Sequence, residues 1–494
     1  MHRLTLPFVA LLGGVTAVSQ VSAVESVDAL TDCLTAASVP FDEAGSTDYD
    51  LDVSSFNLRL NYTPVAVVAA ETAQHVQDAV ACANEAGVKA TAKCGGHSYA
   101  SFGLGGEDGH LVIEMSRMNK VVLDNSTGIA TVEGGTRLGH LAVELFNQGG
   151  RAISHGTCPG VGVGGHALHG GYGLSSHTHG LALDWVVGAT VVLANSTVVN
   201  CSATENPDLF WGVRGAGGSM GIVTEFRFDT FDAAGNFTYF VAPVRWATEE
   251  KALIGVSAVQ EFAKTMPAEL NMRLFIARSF TNIEGLYYGD KAGLQAALQP
   301  LLNQTNATLA MATTGDWMAQ LKYFGGSSNL DQGHGYAEHQ TFYSTSLYTK
   351  ELSESQLQNF VGYWFNTAKN NTRDWYVQID LHGGENSAVS NVSVDDTAYA
   401  HRDYLLMYLL YDRVDSGEYP AGGQTIMENF ASNITQGMER ADWGMYVNYP
   451  NSGLNQEDAQ ANYWGSHLER LQAIKKSVDP NDLFHYPQGI LPAV

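Results

Sequence analysis

The sequence predicts an α+β protein in two parts, the second a large antiparallel sheet backed by helices. Three observations predict it. From about Asn61 to Thr230, short strand-like runs alternate with two helical ones, and glycine is dense after position 95. From about Phe231 to Tyr449 the apolar runs lengthen and alternate with amphipathic stretches. Over the 494 residues, 45% are hydrophobic and 16% charged, enough to fill more than one core.

In the first part, Thr63-Pro64 leads into the strand-like PVAVVAA. The next run, TAQHVQDAVACANEAG, places Val76, Val80 and Ala83 at helical spacing and ends at Gly87. VKATAK, LVIEM, KVVLD and IATVEGG read as short strands, with a turn at Asp124-Asn125. RLGHLAVELFNQGG reads as a helix closed by Gly149-Gly150. In the second part, YFVAPVRW, MRLFIARSF, WYVQIDLHGG and YLLMYLLYD read as strands. ALIGVSAVQEFAKTM and SESQLQNFVGYWFNTA read as helices. The stretch from Asn462 reads as one helix ended by Asp479-Pro480, followed by an extended tail.

The first residues have the pattern of a secretory signal. Polar His2 and Arg3 precede an apolar stretch from Leu4 to Val18, and Val21-Ser22-Ala23 is a small-residue cleavage site that would leave Val24 first. The stretch is short for a membrane span, and no later run reaches the length of one, so no membrane partner is expected. Asn-x-Ser/Thr sequons from Asn61 to Asn433 agree with secretion. In an oxidising compartment five cysteines leave at least one unpaired or chemically used. The net charge of −25 disfavours nucleic acid and anionic membranes.

Two glycine-rich segments carry the chemistry. Lys93-Cys94-Gly95-Gly96-His97-Ser98-Tyr99 can converge backbone N–H groups on an anion beside one histidine. His155-Gly156-Thr157-Cys158-Pro159-Gly160-Val161-Gly162-Val163-Gly164-Gly165 contains G-x-G-x-x-G, with Asp184 following. A dinucleotide fingerprint is rejected. Pro159 stands where a strand should run, and Gly170, Gly171 and Gly173 break the helix that should follow. His166, His169, His177 and His179 have spacings that zinc sites use, but glycines interrupt them and no metal is expected.

Together these segments resemble the flavin domain of the vanillyl-alcohol oxidase superfamily, and within it the berberine-bridge-enzyme-like oligosaccharide oxidases. The resemblance extends through HTHGLALDW, RGAGGSMGIVTEFRF, DDTAYAHRD and the tail from Asn462 to Gln488. It implies FAD attached through His97 and Cys158. It further implies cofactor contacts from Gly95, Gly96, Ser98, Val161, Gly162, Gly164, Gly165, Gly171, Tyr172, Gly173, Ile222 and Gln488. Val161 stands where the resemblance implies room for O₂ above flavin C4a. A Cys33–Cys82 disulfide is implied, and Cys94 departs from the glycine expected there.

The implied reaction removes a proton from the sugar O1–H while C1–H leaves as hydride, so a base must face the flavin. The resemblance assigns this to Tyr449, in Tyr446-Val447-Asn448-Tyr449, assisted by Asp380, in Gln378-Ile379-Asp380. A free tyrosine has a pKa of about 10 and needs help near neutrality. For the substrate, the resemblance implies Tyr99 and Gln378 as contacts. Phe275 and Leu409 replace an acid and an amide of glucooligosaccharide oxidase. Those two changes favour xylo- over cello-oligosaccharides, with O₂ as second substrate. The expected organisation is a signal peptide over 1–23, an FAD domain over 24–230, a substrate domain over 231–450 and a returning segment over 451–494, in a secreted monomer. The alternatives are a relative acting on a non-sugar alcohol, or a secreted flavin-binding protein with little turnover.

Overall fold

The structure, a computed structural model, describes residues 23–333 and 338–494. The expected signal peptide therefore lies outside the described residues, apart from Ala23. Helix Ala23–Ala36 packs on helix Ala73–Ala86, and Cys33–Cys82 joins them with Cα atoms 5.6 Å apart. Thr72 caps the second helix by accepting from the His75 N–H, and Gly87 ends it in the left-handed conformation at φ 68°.

Strands Ala66–Ala69, Leu111–Glu114 and Ala90–Lys93 form a parallel sheet, edged antiparallel by Phe41–Asp42. The sheet is covered on both faces, and its central strand Leu111–Glu114 is buried throughout, as parallel sheets require. Val121–Asp124, Ile129–Glu133, Val186–Val192, Val198–Ser202 and Ile222–Phe228 form a second, antiparallel sheet.

The third sheet has eight strands, all antiparallel. Its middle runs Thr281–Tyr288, Leu270–Ala277, Asp374–Leu381, Leu406–Val414, Thr341–Thr349. Helices Glu249–Thr265, Glu354–Asn366 and Thr425–Thr435 bury Val259, Phe360 and Phe430 in the same core as Leu274, Trp375 and Tyr408. The opposite face is left for the site. This is the mixed α+β architecture that the apolar runs predict.

The C-terminal stretch differs from the single helix expected. Gln456–Trp464 and Leu468–Val478 are separate helices, broken at Gly465, whose φ of 49° no α-helix accommodates. Beyond Asp479, Leu483 and Phe484 enter the core under the parallel sheet, and the Leu483 carbonyl accepts from the Ala90 N–H at 3.0 Å. Among the described residues, no helix is long and apolar enough to cross a membrane.

Candidate active site

The two glycine segments interlock. A Cβ at Gly95 would collide with the Gly162 backbone nitrogen, and one at Gly162 with the Gly95 nitrogen, so neither loop tolerates a side chain there. Arg137 ties both together by donating to the carbonyls of Gly95, at 3.1 Å, and Gly160, at 2.6 Å. A cavity of about 470 Å³ opens beside the joined loops, and His97, Cys158, Val161 and Tyr172 line it.

His97 stacks on Phe56, with ring centroids 3.9 Å apart. Burial, reinforced by the nearby Arg137 guanidinium, pushes its imidazole down to about 3. A neutral imidazole keeps a nitrogen lone pair for bond formation. Cys33–Cys82 leaves the thiols of Cys94, Cys158 and Cys201. Burial pushes Cys94 up to about 11, which makes it a poor nucleophile although it borders the same cavity.

The large sheet supplies the other wall. Asp380 is buried on strand Asp374–Leu381, and its Oδ2 accepts from Gln378 Nε2 at 2.7 Å. Its Oδ1 has no hydrogen-bond partner among the described residues. Burial raises this carboxyl to about 6 against the opposing pull of Arg273. Tyr449 lines the cavity and stacks on Tyr99 at 5.7 Å. Burial first, then the Asp380 charge, holds its phenol well above 10.

The segment carrying Tyr449 has little regular structure and is held by hydrogen bonds. Ser346 Oγ accepts from the Tyr446 N–H at 2.9 Å and donates to the Tyr446 carbonyl at 3.2 Å. Ser344 Oγ donates to the Pro450 carbonyl at 3.2 Å. The Tyr446 hydroxyl in turn accepts from the Gly171 N–H at 2.9 Å, which fixes the glycine loop of the other wall.

Two family descriptions match this chain. The first, an FAD binding domain, covers residues 64–202, and the second, berberine and berberine like, covers residues 445–491. A xylooligosaccharide oxidase of Thermothelomyces thermophilus is 47% identical over 97% of this chain and 98% of its own length.

The chain belongs to the berberine-bridge-enzyme-like FAD oxidases.

Within that family it is an FAD-dependent enzyme of the carbohydrate-oxidase type. Two solved structures have the same fold. One is a xylooligosaccharide oxidase from Myceliophthora thermophila in complex with xylobiose, 48% identical over 94% of this chain and all of that one, with a TM-score of 0.93. The other is a glucooligosaccharide oxidase from Acremonium strictum described with 6-S-cysteinyl, 8α-N1-histidyl FAD, 42% identical over the same shares, with a TM-score of 0.92.

The cavity suits the family's cofactor. Its volume falls in the range of cofactor sites. Gly165 lines it with nothing within 4 Å of where a Cβ would stand, and Gly164 and Gly96 line it too. Gly95, Ser98, Gly162, Gly173 and Ile222 complete this wall, and Tyr99, Gln378, Asp380, Leu409 and Tyr449 lie along the rest.

Three expected site residues stand outside the lining. Gln488 is buried and spent on protein, donating to the carbonyls of Asn451 and Leu454 and accepting from Tyr463. Its place is beneath the Tyr449 segment. Gly171 sits behind the wall, under Tyr446. Phe275 stacks on Tyr376 at 4.9 Å and on half-exposed Phe280 at 5.8 Å. His166 and His169 do not group as ligands. His166 Nε2 accepts from the Gly156 N–H at 2.9 Å, and His169 Nδ1 pairs with the Gly165 carbonyl at 2.9 Å. Sequence reasoning passed over Arg273, Ser344, Ser346 and Tyr446. The signal was present for the serines, which interrupt TFYSTSLYT without the period of a half-exposed strand.

Proposed function

We propose that this FAD oxidase is a secreted oligosaccharide oxidase that converts the reducing-end sugar to its lactone, with O₂ reduced to H₂O₂. The observation that carries the reading is convergence. His97, Cys158, Asp380 and Tyr449 lie far apart in sequence and line one cavity.

In this reading FAD is attached through His97 and Cys158, and it supplies a two-electron acceptor that O₂ then reoxidises. His97 is held neutral, as attachment needs. Tyr449 takes the O1–H proton. Because its phenol is held so high, it carries its own proton before reaction and passes that proton to Asp380 as the new one arrives. The proposed domain division at 24–230, 231–450 and 451–494 is supported by the five-stranded and eight-stranded sheets falling on either side of its first border, and by the return of Leu483 and Phe484 to the first core.

Xylo-oligosaccharides are the proposed preferred sugars. Leu409 lies in an apolar cluster with Phe56, Phe342 and Tyr411, flanked by Tyr99 and Tyr376. A hexose CH₂OH pressed there without a partner loses roughly 1–3 kcal/mol, and a pentose loses nothing. Leu409, in the lining, carries this argument further than Phe275.

Two measurements test the reading. Denatured wild-type protein should stay yellow, with one flavopeptide joining the His97 and Cys158 segments; complete release by acid would overturn the double attachment. A sugar panel with peroxide readout should rank xylobiose above cellobiose in kcat/KM, and Leu409→Gln should narrow the gap more than Phe275→Glu. Cellobiose ahead in wild type would remove the pentose preference alone.

A further inference from the structure

Three adjacent strands carry a row of charge across the sheet face toward the site. Arg273 pairs in register with Glu284 on one side and with Asp380 on the other. Residues directly opposite in an antiparallel pair point to the same face, so the three side chains form one row. Arg273 grips Glu284 with two nitrogens, Nε at 2.8 Å and Nη2 at 2.7 Å from Oε1. Both side chains are more than four-fifths buried. The rings of Phe275 and Phe324 flank the guanidinium, each 5.9 Å from its carbon. Arg273 and Asp380 line the cavity, and Glu284 does not.

We infer that Glu284 is a positioning residue for the reaction, acting through Arg273 to set how strongly the guanidinium holds Asp380 ionised. The inference rests on the proposed role of Asp380 as proton acceptor. One positive charge lies between two carboxylates. The nearer hold of Glu284 fixes the guanidinium in place and leaves Asp380 only part of its field. Asp380 thus keeps the basicity to accept a proton, which a closely paired carboxylate would lack. The other groups facing Asp380 agree. Gln378 donates to Oδ2 from the same strand, Tyr172 and Tyr449 approach from the loops as neutral phenols, and Met407 is opposite on the remaining neighbouring strand.

The row makes opposite predictions for Glu284 and for Arg273 at its centre. Glu284→Gln removes a negative charge while keeping the shape, so Arg273 turns its field on Asp380 and the acid limb of flavin reduction moves to lower pH. Arg273→Gln removes the positive charge, so the limb moves up by roughly one pH unit. Glu284→Asp keeps the charge and should leave the limb near its wild-type position. A role confined to folding would lower flavin content or melting temperature in all three without moving the limb in opposite directions.

The experiment follows the limb by rapid-mixing flavin reduction in the holoenzymes. In parallel, a difference infrared titration of the resting holoenzymes follows the protonated-carboxyl band that Asp380→Asn removes. Opposite shifts for Glu284→Gln and Arg273→Gln in both readouts support the inference. An acid limb that Asp380→Asn abolishes but Glu284→Gln leaves in place overturns it alone. A limb that survives Asp380→Asn overturns the role of Asp380 and the inference with it.

Discussion

At the scale of residues, the proposed relay uses two perturbed groups, Tyr449 held well above 10 and Asp380 raised to about 6. Burial and the Asp380 charge hold the Tyr449 phenol well above 10, so in the proposed relay loss of its hydroxyl removes the proton carrier. Tyr449→Phe should slow flavin reduction by about 10²–10⁴-fold, the usual cost of a lost general base, with the flavin still attached. Near-normal reduction would remove Tyr449 from the mechanism. In the proposed relay Asp380, raised to about 6, must be ionised to accept the proton, so flavin reduction should fall as pH drops below about 6. The same shift has a stability consequence of opposite sense. The folded state binds this proton more tightly than the unfolded state. The stability cost of the buried charge is therefore absent below the ordinary carboxylate range, grows as pH rises toward 6, and is full above it. Asp380→Asn should thus melt higher than wild type well above pH 6 and not at acid pH, while reducing flavin more slowly. Equal melting of the two proteins at every pH would contradict the buried charge.

At the scale of elements, the core strand Thr341–Thr349 does two jobs. Its apolar residues fill the sheet core, and Ser344 and Ser346 hold the irregular segment 446–450 that carries Tyr449. Ser346→Ala deletes one acceptor and one donor of that segment and orphans the Tyr446 N–H in a buried place, at about 1–3 kcal/mol. The expected result is a modest loss of stability in urea with a larger loss of turnover, because the proposed base, Tyr449, is displaced while the cofactor wall is intact. Equal losses in both would mean that the serine supports only the fold. This arrangement was half legible. The strand and helix periods of the chain located the regular elements, because burial on one face imposes that period locally. Gln488 and the Tyr449 segment have no period to read, since their partners lie elsewhere in the chain.

At the scale of the whole molecule, the C-terminal tail closes the first core with a buried charge cluster. Lys475 is fully buried, 2.6 Å from Asp479 and 3.0 Å from Asp482, and Asp479 accepts from the N–H groups of Leu483 and Phe484. Lys475→Ala leaves a buried carboxylate uncompensated and should cost about 3–5 kcal/mol in chemical denaturation, whereas Lys475→Met with Asp479→Asn should recover part of it. A loss under 1 kcal/mol would show that the tail does not need the pair. The tail also places residues 445–455 against the flavin wall, since Gln488 donates to Asn451 and Leu454. The sequence by itself determined the α+β class and the two glycine segments, because these depend on residue types and short spacings, and the family resemblance of those segments pointed to His97 and Cys158. Only the tertiary structure decided that Phe275 stands off the cavity lining, that Gln488 holds the chain, and that Arg273 lies between Glu284 and Asp380. The register between strands pairs Arg273 with Asp380, far away in sequence, and long-range hydrogen bonds place Gln488; neither leaves a trace in any local pattern.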